Sequence, residues 1–167
     1  AASSGVRPMR EAHRFEIDQL TRKIVRDRFP GYAIDGEPVS RVRVADLNRD
    51  GQPEVLASVT LTLRADARPA QNVSLFMIGE AASSTDAGAT LRAAYVNAST
   101  AAESTEPASV TFVDQVDLSP DTFDEVVLRS VSGDSMEYVV VQRRDQGWVE
   151  IFASDPLRRE VRRDGDQ

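Results

Sequence analysis

The 167-residue chain carries 27 acidic residues against 20 basic ones, a formal net charge of −7 at pH 7. Its 41% hydrophobic and 28% charged residues are typical of a folded globular protein and exclude collagen-like and wholly disordered classes. The acidic balance argues against a phosphate-backbone binder, so we expect no nucleic-acid partner. Because the sequence has no cysteine, any metal must be held without thiolate, by oxygen ligands.

The expected compartment follows from the same composition. No apolar run approaches the ~18 residues of a membrane helix, so we expect no transmembrane segment in this chain. The chain begins AASS, which fits the small-residue end of a cleaved export signal as well as an arbitrary boundary. The basic residues are almost all arginine, a bias associated with GC-rich bacterial genomes. We expect a periplasmic or extracellular bacterial protein whose signal peptide has been removed.

The first predicted element is an amphipathic helix between Pro8 and Arg28, within an N-terminal segment over residues 1–30. Its apolar stripe recurs at intervals of three and four residues and comprises Met9, His13, Ile17, Leu20 and Ile24. Proline suits the first turn of a helix, and a proline-glycine pair ends this one. Because an isolated helix of this length is marginal in water, the stripe must pack on a sheet or on another chain.

After the helix the hydrophobic period changes from that of a helix to that of a strand. We predict a first β-repeat over residues 31–97, a polar connector over 98–109, a second β-repeat over 110–154 and a charged tail over 155–167. The strands are expected near residues 42–44, 55–63, 73–78, 91–96, 110–116, 125–131, 138–143 and 148–152. The tail is expected to be a short helix or frayed.

The two strand regions resemble each other when the second is aligned with the first. The segment VADLNRDGQPEVL, which begins at Val44, aligns without gaps with QVDLSPDTFDEVV, which begins at Gln115. Each unit then holds about four strands, as a propeller blade does, but two units are too few for a closed propeller of roughly 4 to 8 blades. We therefore predict a mainly β (α+β) fold of two antiparallel four-stranded, blade-like units, with the helix covering an apolar face.

The turn between the first two strands has the residue spacing of a metal loop built from oxygen ligands. Asp46, Asn48 and Asp50 alternate along the chain, Gly51 follows, and Glu54 lies eight residues after Asp46. Alternate residues of a tight loop can point inward together, and glycine permits the positive φ that curls the backbone. Such a set of hard oxygens suits Ca²⁺, which takes 6 to 8 of them in flexible geometry.

This loop, D-x-N-x-D-G-x-x-E from Asp46 followed by Val-Leu, resembles the calcium loop of FG-GAP/VCBS-type repeats, found in integrin α-subunit propellers and many bacterial exported proteins. It is not an EF-hand, whose acidic twelfth residue would here be Ala57 and whose loop lies between two helices. The resemblance covers 41–63 closely and 110–152 loosely, without the Phe-Gly and Gly-Ala-Pro signatures. It implies Ca²⁺ as the cofactor and these ligands: Asp46, Asn48, Asp50, the Gln52 carbonyl and Glu54.

The second repeat keeps a weaker form of the loop, with Asp117, Ser119, Asp121 and Glu125 at the corresponding positions. Thr122 replaces the glycine and resists positive φ, because it is β-branched. Asp124 offers an alternative ligand. The competing interpretation is a hairpin turn rich in aspartate for its turn-capping property alone.

The sequence offers little for catalysis. His13 is the only histidine and lies in the apolar stripe of the helix, so we expect it to pack rather than to act as a base. No pair of carboxylates is singled out outside the two loops. We therefore predict a non-enzymatic, exported, calcium-stabilised β-repeat domain that mediates protein-protein interaction, of undetermined oligomeric state.

Two alternatives remain open at the sequence level. One is an accessory structural subunit of a larger envelope or membrane-associated complex, docked through its N-terminal helix. The other is a small hydrolase or carbohydrate-binding module. In that module the aromatic side chains that would line a sugar-binding face are Tyr95, Tyr138, Trp148 and Phe152, although such residues more often belong to a core.

Overall fold

The computed structural model describes residues 11–82, 91–118, 123–145 and 147–158, and within these ranges one helix precedes nine strands. The elements are α1 (Glu11–Arg28), β1 (Ala33–Ala45), β2 (Glu54–Ala65), β3 (Arg68–Ala81), β4 (Leu91–Ala102), β5 (Ser109–Val116), β6 (Glu125–Ser132), β7 (Ser135–Arg144), β8 (Gly147–Ala153) and β9 (Leu157–Arg158). Sheet 1 has the antiparallel order β1-β2-β3-β4, and sheet 2 has the order β5-β6-β7-β8, with β9 paired to β7. The predicted fold class is thereby confirmed.

Helix α1 covers one face of sheet 1. The stripe residues Ile17, Leu20 and Ile24 are 2%, 5% and 6% exposed and pack on apolar side chains of β2 and β3. Asp18 and Arg22 form an exposed ion pair one turn apart, at 2.8 Å. These three residues of the stripe are therefore buried within the chain. Met9 and Pro8 lie outside the described residues, which contain no helix long and apolar enough to cross a membrane.

The other face of sheet 1 packs on sheet 2. Alternation along β2 turns Val55 toward the helix and Leu56 toward sheet 2, as expected for a strand that is buried on both sides. The core between the two sheets contains Ala45, Leu47, Leu56, Phe76, Ile78, Val110, Val126, Leu128, Val141 and Trp148. The described chain is thus a stack of three layers, in the order α1, sheet 1, sheet 2.

The predicted internal repeat is visible in the strand register. In sheet 1 Ala45 pairs with Glu54, and in sheet 2 their sequence equivalents Val116 and Glu125 pair with each other. The correspondence ends beyond a register shift at Val113 in β5. The two hairpins are therefore equivalent at the end that carries the two loops.

The two sheets stack in the same orientation, so that their equivalent faces point in the same direction. Val55 faces α1, and Val126, its equivalent in the second repeat, faces sheet 1. A two-fold sandwich would turn these equivalent residues toward each other. The observed arrangement instead repeats one orientation, as successive blades of a stack do.

Two segments differ from their predicted boundaries. Strand β4 continues to Ala102, within the segment 98–109 predicted as a connector, because its small polar residues pair along β3. The tail forms the short strand β9 rather than a helix, at least as far as Arg158. Strands β7 and β8 form a hairpin in which Arg144 pairs with Gly147, and Gln146 lies outside the described residues.

Candidate metal centre

The loop between β1 and β2, which we call loop 1, is closed by its own side-chain oxygens. The Gly51 N–H donates to Asp46 Oδ2 at 3.1 Å, and the Gln52 N–H donates to Asp50 Oδ1 at 2.7 Å. The Asp50 N–H donates to Asn48 Oδ1 at 3.0 Å, and Asn48 Nδ2 returns a bond to Asp50 Oδ2 at 2.9 Å. Positive φ at Gly51 (86°) makes the turn this tight. The alternating polar residues therefore share one compact turn.

Glu54 closes the loop from the buried side. Glu54 is only 5% exposed, and its Oε2 accepts a hydrogen bond from the Leu47 N–H at 2.7 Å. Burial raises the pKa of Glu54 from 4.5 to about 7, and the charges of Asp50 and Glu80 act in the same direction, while the bond from Leu47 opposes them. A nearby cation would relieve this cost of burying a negative charge.

The donor set fits a hard divalent cation in its chemistry, since every side-chain ligand predicted for loop 1 offers oxygen. The loop brings Asp46, Asn48 and Asp50 together, whereas Glu54 is turned toward the backbone of Leu47. Within the described ranges no three acidic or histidine side chains converge closely enough to hold one metal ion. Calcium ligation, including that by the Gln52 carbonyl, therefore stays a prediction.

The second loop, between β5 and β6, is contacted by the Arg49 side chain of loop 1. Arg49 reaches across with one guanidinium nitrogen 2.8 Å from Asp117 Oδ2 and 2.5 Å from Asp124 Oδ1. Asp124 is 3% exposed, and its N–H donates to the Leu47 carbonyl at 2.7 Å. Arg49 adopts a left-handed backbone conformation with φ of 58°, which is uncommon for a residue other than glycine. Two aspartates of the weaker predicted site thus bind an arginine.

The buried glutamate is common to both loops. The Leu118 N–H donates to Glu125 Oε2 at 2.8 Å, as the Leu47 N–H does to Glu54. Glu125 is fully buried, and its Oε1 accepts a bond from Gln142 Nε2 at 2.8 Å. The predicted ligands Ser119 and Asp121 lie outside the described residues. The shared part of the two loops is therefore the bond from glutamate to backbone.

No family model, curated protein or solved structure matches this chain. Its residues alone must therefore indicate its function. His13 lies half-buried on α1.

The four aromatic candidates for a sugar-binding face are divided between two surfaces. Trp148 is buried between the sheets, where Nε1 donates to Glu80 at 2.9 Å, and Tyr95 packs edge-on against Phe76. Tyr138 and Phe152 belong to the opposite side of sheet 2. The described structure thus offers no single aromatic platform built from all four.

Sequence reasoning missed the role of Arg49. Its place within the loop 1 motif gave no sign that its side chain would neutralise another loop. The available signal was the second loop itself, which keeps Asp117 and adds Asp124 while it loses the glycine of a metal loop. Such a change leaves acidic side chains that need another cation.

The pKa of Glu54 predicts a pH-dependent stability for the calcium-free protein. In the folded state this carboxyl keeps its proton up to about pH 7, whereas an ordinary glutamate loses it near 4.5. Between these values the folded state binds more protons, so the free energy of unfolding falls as pH rises, by about 2 to 3 kcal/mol in total. Urea denaturation with a chelator at pH 5 and pH 8 measures this difference.

Glu54→Gln should remove most of that pH dependence, while the exposed acid in Glu106→Gln should leave it unchanged. A pH dependence that Glu54→Gln retains would assign it to other groups.

Proposed function

We propose that the chain is a non-enzymatic, calcium-stabilised β-repeat module that binds a protein partner on the outward side of sheet 2. We call this side the open face; it comprises Val127, Tyr138, Val140 and Phe152, with Leu118 at its rim. The observation that carries the proposal is the contrast between two equivalent leucines. Leu47 is 0% exposed because sheet 2 covers it, whereas Leu118, its equivalent in the second repeat, is 64% exposed.

The open face repeats the apolar residues of the face that sheet 1 buries. In sheet 1 the cross-strand row Leu56, Ile78 and Tyr95 lies under sheet 2. The equivalent row in sheet 2 comprises Val127, Val140 and Phe152, and Phe152 is 56% exposed. Tyr138 likewise takes the place of Phe76.

Contiguous apolar surface of this kind is typical of interaction sites. No described element of the chain covers the open face. Sheet 2 covers the equivalent face of sheet 1, so we propose that the external partner of the open face is also a β-sheet that presents an apolar face. This commits the module to binding by sheet stacking and not through the stripe of α1, which is engaged internally.

Calcium would support this function by fixing loop 1. Loop 1 contacts sheet 2 through the Leu47 carbonyl and the Arg49 guanidinium, so a rigid loop 1 would fix the position of sheet 2 on sheet 1. An exported location fits, because extracellular sites of this chemistry need only a Kd of ~10⁻⁴ to 10⁻³ M.

Photo-crosslinking tests the proposed function. A photoreactive residue at Phe152 should yield an adduct with one partner in an extract of the source cells, whereas the same residue at Phe15, which is 67% exposed on α1, should not. With the purified pair, Leu118→Asp should weaken binding at least tenfold, and Phe15→Asp should not. Equal crosslinking at both sites, or unchanged affinity of Leu118→Asp, would refute the assignment of the open face.

A further inference from the structure

A cleft of about 580 Å³ runs along one edge of the stack, beside β1. Its lining comes from α1, sheet 1 and the first two strands of sheet 2 and includes Arg14, Arg41, Arg43, Ser58, Phe112 and Arg129. Four of these residues are arginines, and none is acidic. In a chain with a net charge of −7, this is a concentration of positive charge.

The cleft exists because sheet 2 does not cover the whole of sheet 1. Strand β5 packs over β2 and β3, and β1 extends beyond it at the edge. Arg41 and Arg43 are paired across the strands with Ser58 and Leu56, so their side chains take the side of β1 that faces sheet 2. Because sheet 2 does not cover them, Arg41 and Arg43 are exposed, and the cleft beside them also has apolar lining residues such as Phe112.

The four arginines of the cleft share a lack of acidic partners within the described chain. Arg22, Arg64 and Arg92 each form an ion pair with a carboxylate at 2.9 Å or less. In the described part of the chain, by contrast, no carboxylate lies within ion-pair distance of the guanidinium groups that line the cleft, which are those of Arg14, Arg41, Arg43 and Arg129. Guanidinium groups bind carboxylates with paired hydrogen bonds, so this cleft is suited to an anionic ligand.

The spacing of the charges indicates the form of the ligand. Arg41 and Arg43 alternate on one strand and so repeat at roughly 6.6 Å. Alternate side chains of an extended peptide repeat at the same distance, and opposite charges that face each other across neighbouring strands attract. Arg14 and Arg129 add positive charge to the same cleft from α1 and β6.

We propose that this cleft binds an extended acidic segment of a protein partner, with carboxylates at alternate positions facing Arg41 and Arg43. The segment lies along β1 between α1 and sheet 2. The inference depends neither on calcium nor on the open face, because no residue of the open face lines the cleft.

The test uses the full chain and a fluorescein-labelled octapeptide of alternating Asp and Thr, with the Asn-Thr octapeptide as the neutral probe. Fluorescence anisotropy at low ionic strength should show binding of the acidic peptide at least tenfold tighter than that of the neutral one. The double variant Arg41→Gln with Arg43→Gln should lose at least tenfold in affinity.

The matched control is Arg26→Gln with Arg28→Gln, which removes the same charge from exposed positions at the end of α1 and should retain binding. Arg14→Gln, on a different element, should weaken binding severalfold and guards against a local effect on β1. Equal loss in the control, or no preference for the acidic peptide, would overturn the proposal. Binding of citrate or inorganic phosphate in place of the peptide would also overturn it, in favour of a small-anion site.

Discussion

Leu20→Asp is expected to lower the free energy of unfolding by about 4 kcal/mol or more. Leu20 is 5% exposed in the core between α1 and sheet 1, and its Cδ2 lies 3.6 Å from the position that a Cβ on Gly79 would occupy. The substitution removes this packing and places a carboxylate where no partner compensates its desolvation. Chemical denaturation followed by circular dichroism measures the loss.

Gln19→Asp provides the control, because it adds the same charge at the neighbouring, exposed position. It should change stability by no more than about 0.5 kcal/mol. If Leu20→Asp were as stable as the wild type, α1 would not be docked on sheet 1 in solution, and the alternative in which this helix docks on a larger complex would regain its basis.

Calcium is expected to raise the melting temperature through loop 1. Carboxylates crowded in one turn repel one another, and a cation that binds only the folded state stabilises it by RT ln(1 + [Ca²⁺]/Kd). At a concentration one hundred times Kd this is about 2.7 kcal/mol, or roughly 5 to 10 °C for a chain of this size. Thermal melts in millimolar Ca²⁺ and in chelator measure the increment.

Asp50→Ala should abolish the calcium increment, since it removes a predicted ligand from loop 1. Ser119→Ala in the second loop should retain most of it. Mg²⁺ at the same concentration should stabilise less, because it demands stricter octahedral geometry and sheds water reluctantly. Identical melting in calcium and chelator would remove calcium from the proposed function and leave the open face untouched.

Local pattern was enough to predict most of the fold. The strict alternation from Val55 to Leu63 identified β2, and the gapless alignment of the two strand regions identified two equivalent hairpins. The end of β4 was missed because residues up to Ala102 have no apolar alternation of their own. Their hydrogen bonds to β3 decide their structure, and such pairing is not visible in a single segment.

At the candidate site, too, the sequence predicted the local contacts and did not predict the long-range one. The turn that joins Asp46, Asn48 and Asp50 is set by residues within six positions, so the motif predicted it. The pairing of Arg49 with Asp124 joins residues 75 positions apart and depends on how the two sheets stack. Nothing in either loop alone specifies that stacking.

The repeated orientation of the two sheets gives the stack two unlike ends. Sheet 2 contacts sheet 1 through the face that carries Val126. The equivalent face of sheet 1, which carries Val55, is covered by helix α1. A head-to-tail contact between two copies would need this face of sheet 1 to be free, and a stack with a free face at each end can grow into a fibre. Under the proposed stacking through the open face, helix α1 would therefore act as a terminal cap on sheet 1.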